Sequence, residues 1–131
     1  MRVLLDTQAL IWSLEQESLL SPEARNAILT ADEVCMSPVN FYEIVIKLTV
    51  GKDAGITRPT QELIQLAVES GFTWLPISPK HVGTYPQLPL YEQHRDPFDR
   101  MLLATALADN LAIVSSDHNF RLYSSLVKTI W

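Results

Sequence analysis

Four acidic residues sit where they could act together. Asp6 ends the apolar run Arg2-Val3-Leu4-Leu5, and Glu43 lies in the helical stretch Asn40-Phe41-Tyr42-Glu43-Ile44-Val45-Ile46-Lys47. Asp99 belongs to His94-Arg95-Asp96-Pro97-Phe98-Asp99-Arg100, and Asp117 follows Leu111 to Val114 across Ser115-Ser116. Taken singly, each has an ordinary structural explanation. Asp6 can start a turn, Glu43 can pair with Lys47 on a solvated face, Asp99 suits the first turn of a helix, and Asp117 suits a turn or a cap. Gathered at one end of a sheet, four carboxylates would repel one another and need compensation. A divalent cation such as Mg²⁺ or Mn²⁺ supplies it, because both prefer oxygen ligands. Such a centre can activate water and stabilise a phosphoryl transition state.

The elements that must position these acids follow from local pattern. Asp96-Pro97 reads as cap and first helical residue, since Pro has no N–H to leave unbonded and its φ is already helical. That helix runs to about Asp109 and stops at Asn110. Ser21-Pro22, Ser37-Pro38 and Ser78-Pro79 repeat the device, for helices to about Asp32, to Gly51, and near Lys80 to Gly83. A helix is also expected over Thr7 to Leu14, and another capped by Thr60 through Ser70. Short apolar runs at Arg2–Asp6, Val34–Ser37, Phe72–Ile77, Leu111–Val114 and Leu126–Ile130 read as strands. Lys52 to Pro59 reads as a loop, Thr84 to His94 as irregular, and His118 to Tyr123 as a helical turn.

Strands that are apolar throughout and alternate with helices argue a parallel sheet covered on both sides. The fold class is therefore α/β, with three layers, α/β/α, around a mainly parallel sheet of about five strands. Asp6 and Asp117 then fall at the carboxyl edge, where open α/β sheets bind ligands. The helix of Glu43 starts at the same edge.

Composition restricts the alternatives. With 131 residues, 47% of them hydrophobic and 19% charged, the chain fits one soluble domain. A formal charge of −5 gives no basic field for a polyanion, so a metal or local Lys and Arg would have to offset the acids. The one cysteine, Cys35 in Val34-Cys35-Met36, reads as a buried thiol and excludes disulfide scaffolds and Cys-based zinc sites. No apolar run spans a membrane, and Met1-Arg2 runs into a strand without a signal-like leader, so a cytoplasmic location is expected. His81, His94 and His118 lack the setting of a nucleophile triad, and the four glycines form no phosphate loop. His94 reads as ordering the loop before Asp96; His118, beside Asp117, is the histidine left open as a supporting group.

These residues resemble the PIN-domain ribonucleases, of the kind that serve as VapC toxins in type II toxin–antitoxin pairs. The resemblance rests on Leu4-Leu5-Asp6-Thr7, on Ser37-Pro38 through Tyr42-Glu43-Ile44-Val45-Ile46-Lys47 with Gly51-Lys52, on Leu88-Pro89 and His94 through Ala106, and on Ser115-Ser116-Asp117 with Phe120 and Tyr123. It spans nearly the whole length, so residues 1–131 are expected to form a single PIN domain. It implies metal ligands at Asp6, Glu43, Asp99 and Asp117, with Thr7, Ser115 and Asp96 in support. It further implies Mg²⁺- or Mn²⁺-dependent cleavage of single-stranded RNA leaving a 5′-phosphate, a cognate antitoxin occupying the acidic pocket, often through an Arg, and a homodimer. Tyr42 stands where many relatives carry Trp, and Ser115 where Thr is commoner; neither removes an acid.

Lys47, Arg95 and Arg100 are candidate RNA contacts, although Arg100 could equally pair with Asp96 four residues earlier. Lys52 is better read as ordinary surface. A mean hydropathy of +0.09 and aromatic residues as far as Trp131 suggest some apolar surface for partners to cover. Two other readings stand beside the nuclease. One is a non-catalytic PIN-like binding module acting only through a protein partner, which the full set of acids disfavours. The other is a phosphoryl-transfer domain with a nucleophilic Asp6, which Asp6-Thr7-Gln8 disfavours because no second acid follows two residues on.

Overall fold

A computed structural model describes residues 1–131. The chain runs β1 (Arg2–Leu5), α1 (Thr7–Glu15), α2 (Pro22–Thr30), β2 (Glu33–Met36), α3 (Pro38–Thr49), α4 (Thr60–Glu69), β3 (Thr73–Trp74), α5 (Pro79–Thr84), α6 (Pro97–Asp109), β4 (Ala112–Val114) and β5 (Thr129–Ile130). Single 3₁₀ segments lie at Glu17–Leu19, Tyr85–Gln87 and His118–Tyr123.

The sheet has the order β3-β2-β1-β4-β5, and every pairing is parallel. In β1, side chains alternate between two covered faces. Val3 and Leu5 join Val34, Met36, Ala112 and Val114 in a core packed by Ala9, Leu10, Ile11, Ala24, Leu63 and Ala67 of α1, α2 and α4. Leu4 points the other way, with Cys35 and Ile113, into a core made by Leu102, Leu103, Ala104 and Ala106 of α6 with Phe120 and Tyr123. Both faces are dry, which is why the strands are apolar without alternation. The three-layer α/β/α arrangement is thus the expected one.

The order in which strands are added reverses at β1, although all strands run parallel: β2 and β3 lie to one side, β4 and β5 to the other. The crevice at the carboxyl ends of β1 and β4 is a topological switch point of the kind that holds ligands in such sheets.

All four Pro-led helices start as their sequences indicate. Ser21, Ser37, Ser78 and Asp96 accept bonds from backbone N–H groups of their first turns. Asn110 ends α6 in the left-handed region at φ 56°, a conformation Asn tolerates better than most residues. Other boundaries differ. Pro59, not Thr60, occupies the cap of α4, and no side chain caps that helix. The edge strands are shorter than their apolar runs. Leu75 still donates to the Met36 carbonyl at 2.8 Å, but Pro76 then has no N–H to continue the ladder. Leu126 and Val127 donate to the Tyr123 carbonyl in a turn, so β5 begins only at Thr129. α2 stops at Thr30, and the 84–94 stretch contains a short 3₁₀ turn and a bridge between Tyr91 and His94.

Candidate active site

Asp6 leaves β1 and caps α1, its Oδ1 accepting from the Ala9 N–H at 2.7 Å, while its own N–H donates to the Val114 carbonyl at 3.1 Å. It is only 5% exposed. Asp117 follows β4 and caps the His118–Tyr123 turn through the Asn119 N–H at 2.9 Å; its own N–H donates to Ser115 Oγ at 3.1 Å. The Ser115 hydroxyl is also near enough to the Asp6 carboxylate to favour its ionised form.

Glu43 is delivered by the start of α3. Asn40 is fully buried there: its Oδ1 accepts from Ser37 N, and its Nδ2 donates to the Leu5 carbonyl and to Thr7 Oγ1, both at 3.2 Å. Thr7 then donates to Glu43 Oε1 at 2.7 Å. This directional chain fixes the α3 acid against the end of β1. The other Glu43 oxygen meets Lys47 Nζ at 3.2 Å. Asn40, given no role from the sequence, therefore supports Glu43. Its signal was an amide at the third position after a Ser cap.

Asp99 enters from the first turn of α6. Asp96 Oδ1 accepts from Phe98 N and Asp99 N at 2.8 and 3.1 Å, so Asp96 is a helix cap at the rim. Asp99 Oδ2 lies 3.0 Å from His94 Nε2, and ligand atoms of His94, Asp99 and Asp117 fall within 4.8 Å of one another.

The electrostatics reflect this convergence. Burial pushes the Asp6 carboxyl up to about 6, with Glu43 and Asp117 adding repulsion and the bonds from Ser115 and Ala9 opposing it. Burial also pushes Asp99 up to about 7, against the His94 bond and with repulsion from Asp96 and Glu43. Asp6 thus feels Glu43 and Asp117, and Asp99 feels Glu43, so the four carboxylates lie near enough to repel one another, although only Asp99 and Asp117, with His94, bring ligand atoms within 4.8 Å of one another; Lys47 is the one ammonium paired with any of the four. An all-oxygen set with excess negative charge fits a hard divalent cation.

Arg100 does not face these acids. The residue is 4% exposed, and its guanidinium donates to Pro89 O at 2.8 Å, Tyr123 Oη at 3.1 Å and Tyr85 Oη at 3.2 Å. It also lies 5.0 Å from the Tyr85 ring centre. It is a structural staple, not an RNA contact, and it does not pair with Asp96, whose oxygen is turned to the helix N–H groups. Arg95 stays exposed beside the cap, and Lys47 is half-exposed. His118 is exposed, whereas His94 is buried against Asp99; the histidine that supports the site is the one sequence reading assigned to loop ordering.

The PIN domain family model matches residues 3–126. Ribonuclease VapC22 from Mycobacterium tuberculosis (strain ATCC 25618 / H37Rv) is 28% identical over 128 residues, spanning 91% of this chain and 89% of that protein. Among solved structures, the VapBC2 complex from Rickettsia felis bound to a promoter DNA fragment contains a chain that superposes with a TM-score of 0.71 at 18% identity, covering 100% of this chain and 99% of that one. FitAcB from Neisseria gonorrhoeae gives 0.62 at 18% identity, over 97% and 95%. The structural likenesses establish the fold; joined to the family match over almost the entire length, they show that this chain belongs to the PIN domain family.

Proposed function

We propose that this protein is a metal-dependent endoribonuclease that cleaves single-stranded RNA and acts as the toxin of a toxin–antitoxin pair. The reading is supported by the mutual repulsion of Asp6, Glu43, Asp99 and Asp117, from four distant segments, and by the closeness of Asp99 to Asp117, with Lys47 the one ammonium paired with any of the four acids. The similarity to a protein named a ribonuclease, and to chains of VapBC and FitAcB structures, supports it.

Mg²⁺ or Mn²⁺ would be held by the four acids and would supply Lewis-acid stabilisation of a phosphoryl centre and a more acidic bound water. The chain's own residues do the rest. Thr7 and Asn40 hold Glu43 in place, Ser115 accepts from the Asp117 N–H, and Asp96 fixes the start of α6 from which Asp99 reaches His94. Lys47 and the exposed Arg95 offer positive charge to the phosphates of a bound strand. The antitoxin would bring a basic side chain to the same acids, and apolar residues would cover the exposed Tyr42, Val45 and Val50 around α3. A homodimer is part of the same proposal. No helix of the structure is long and apolar enough to cross a membrane.

The test is cleavage of a single-stranded RNA by the purified toxin with Mg²⁺ or Mn²⁺, with EDTA, and with Asp6→Asn and Asp99→Asn. Loss of cleavage in EDTA and in both variants is expected. Cleavage surviving in both variants overturns the assignment.

A further inference from the structure

We propose that His94 is a positioning residue for Asp99, held in one orientation and one tautomer by a buried relay from Arg100 through Tyr123. The inference rests on the metal reading of the acidic pocket and adds to it a residue that sets one of its ligands.

The relay is directional. Arg100 can only donate, and its Nη1 donates to Tyr123 Oη at 3.1 Å. The Tyr123 hydroxyl keeps one hydrogen, and its remaining partner is His94 Nδ1 at 2.9 Å. Tyr123 therefore donates to Nδ1, which must carry a lone pair. In that tautomer Nε2 carries the N–H and donates to Asp99 Oδ2 at 3.0 Å. Each side chain of the relay has a hydrogen-bond partner, and Tyr123, His94 and Arg100 are 0%, 4% and 4% exposed. Because both ring nitrogens are engaged, His94 has none left for an ion, although it lies in the cluster with Asp99 and Asp117. One Asp99 oxygen is likewise committed, which leaves the other for the shared pocket.

The same ring relates two of the acids to each other. It packs 5.7 Å from the Phe120 ring and 5.5 Å from the Tyr123 ring. Both aromatic residues belong to the 3₁₀ turn that Asp117 caps. His94 and Arg100 therefore stitch the helix bearing Asp99 to the turn that begins at Asp117. A partner that orients a ligating group in this way generally contributes 10- to 100-fold in metal affinity or activity, an order-of-magnitude range.

The experiment is Mn²⁺ binding by calorimetry on the full chain, with thermal unfolding in EDTA as the control for packing. His94→Leu is expected to weaken Mn²⁺ binding by about 10- to 100-fold, and Tyr123→Phe by about tenfold. His94→Gln, whose terminal amide can replace the Nε2 donor, is expected to recover most of the affinity even where its melting temperature stays below wild type. Unchanged Mn²⁺ affinity in a folded His94→Leu overturns the proposal. If His94→Leu does not fold, unchanged affinity in Tyr123→Phe overturns it instead. Equal losses in His94→Gln and His94→Leu overturn the donor role. A wild-type chain that binds no Mn²⁺ sinks the metal reading itself, an outcome distinct from all of these.

Discussion

Replacing Asp6 by Asn should stabilise the metal-free protein while removing its response to metal. Asp6 has two roles that pull in different directions. As a cap it accepts from Ala9 N, a bond that Asn makes about as well. As an ionised group it is desolvated and faces Glu43 and Asp117. Moving a carboxyl from an ordinary 3.8 to about 6 corresponds to roughly 3 kcal/mol of destabilisation once the group is fully ionised in the native state. Between these values the native state holds more protons than the unfolded chain, so stability falls as pH rises through about 4 to 6 and stays lowered above. Asp6→Asn escapes that loss. At pH 8 in EDTA it should be more stable than wild type by roughly 1–3 kcal/mol, or several degrees in Tm, and the difference should vanish near pH 4. Adding Mn²⁺ should raise the wild-type Tm and leave the variant nearly unmoved. Calorimetric or circular-dichroism melts across pH measure all of this. A variant less stable than wild type at pH 8 in EDTA, or equal to it, would show that Asp6 is merely a cap and that the pocket stores no repulsion.

Other perturbations separate scaffold from chemistry. Arg100→Leu should lower stability by roughly 2–4 kcal/mol in denaturant melts, because it strands the Pro89 carbonyl and the Tyr85 and Tyr123 hydroxyls. Asn40→Ala should cost roughly 1–3 kcal/mol in the same melts and also weaken Mn²⁺ binding, since Thr7 and Glu43 lose their anchor to β1. Lys47→Ala should raise KM for RNA several-fold at low salt and less at high salt, where phosphate contacts are screened; a salt-independent effect would argue against a phosphate contact.

The parts of this protein that its sequence announces are those ruled by neighbours along the chain. Ser-Pro and Asp-Pro pairs mark helix starts because cap geometry is local, and all four appear. Strands β1, β2 and β4 are legible because a strand covered on both faces must be apolar on both. The positions of Asp6 and Asp117 follow from where those strands end. What the spacing could not disclose is decided by tertiary contacts. Arg100 stands four residues from Asp96, an ordinary pairing distance, yet the folded 85–91 segment supplies carbonyl and hydroxyl acceptors that draw it inward. His94 and His118 look alike on paper, each near an acid. The turn after Asp117 buries Phe120 and Tyr123 against His94 and leaves His118 in solvent. The short edge strands reflect the same limit, since an apolar run shows burial but not how many ladder bonds a neighbour offers.

A cation shared by Asp6, Glu43, Asp99 and Asp117 is central to the proposed chemistry. A crystal soaked in Mn²⁺, with diffraction collected for anomalous signal, tests it directly. The expected result is a peak among these carboxylates, within bonding distance of oxygens from Asp6 and Asp99 and clear of His94, whose nitrogens are already engaged. A fully soaked crystal with no peak in the pocket, or with the ion elsewhere on the surface, would contradict the account.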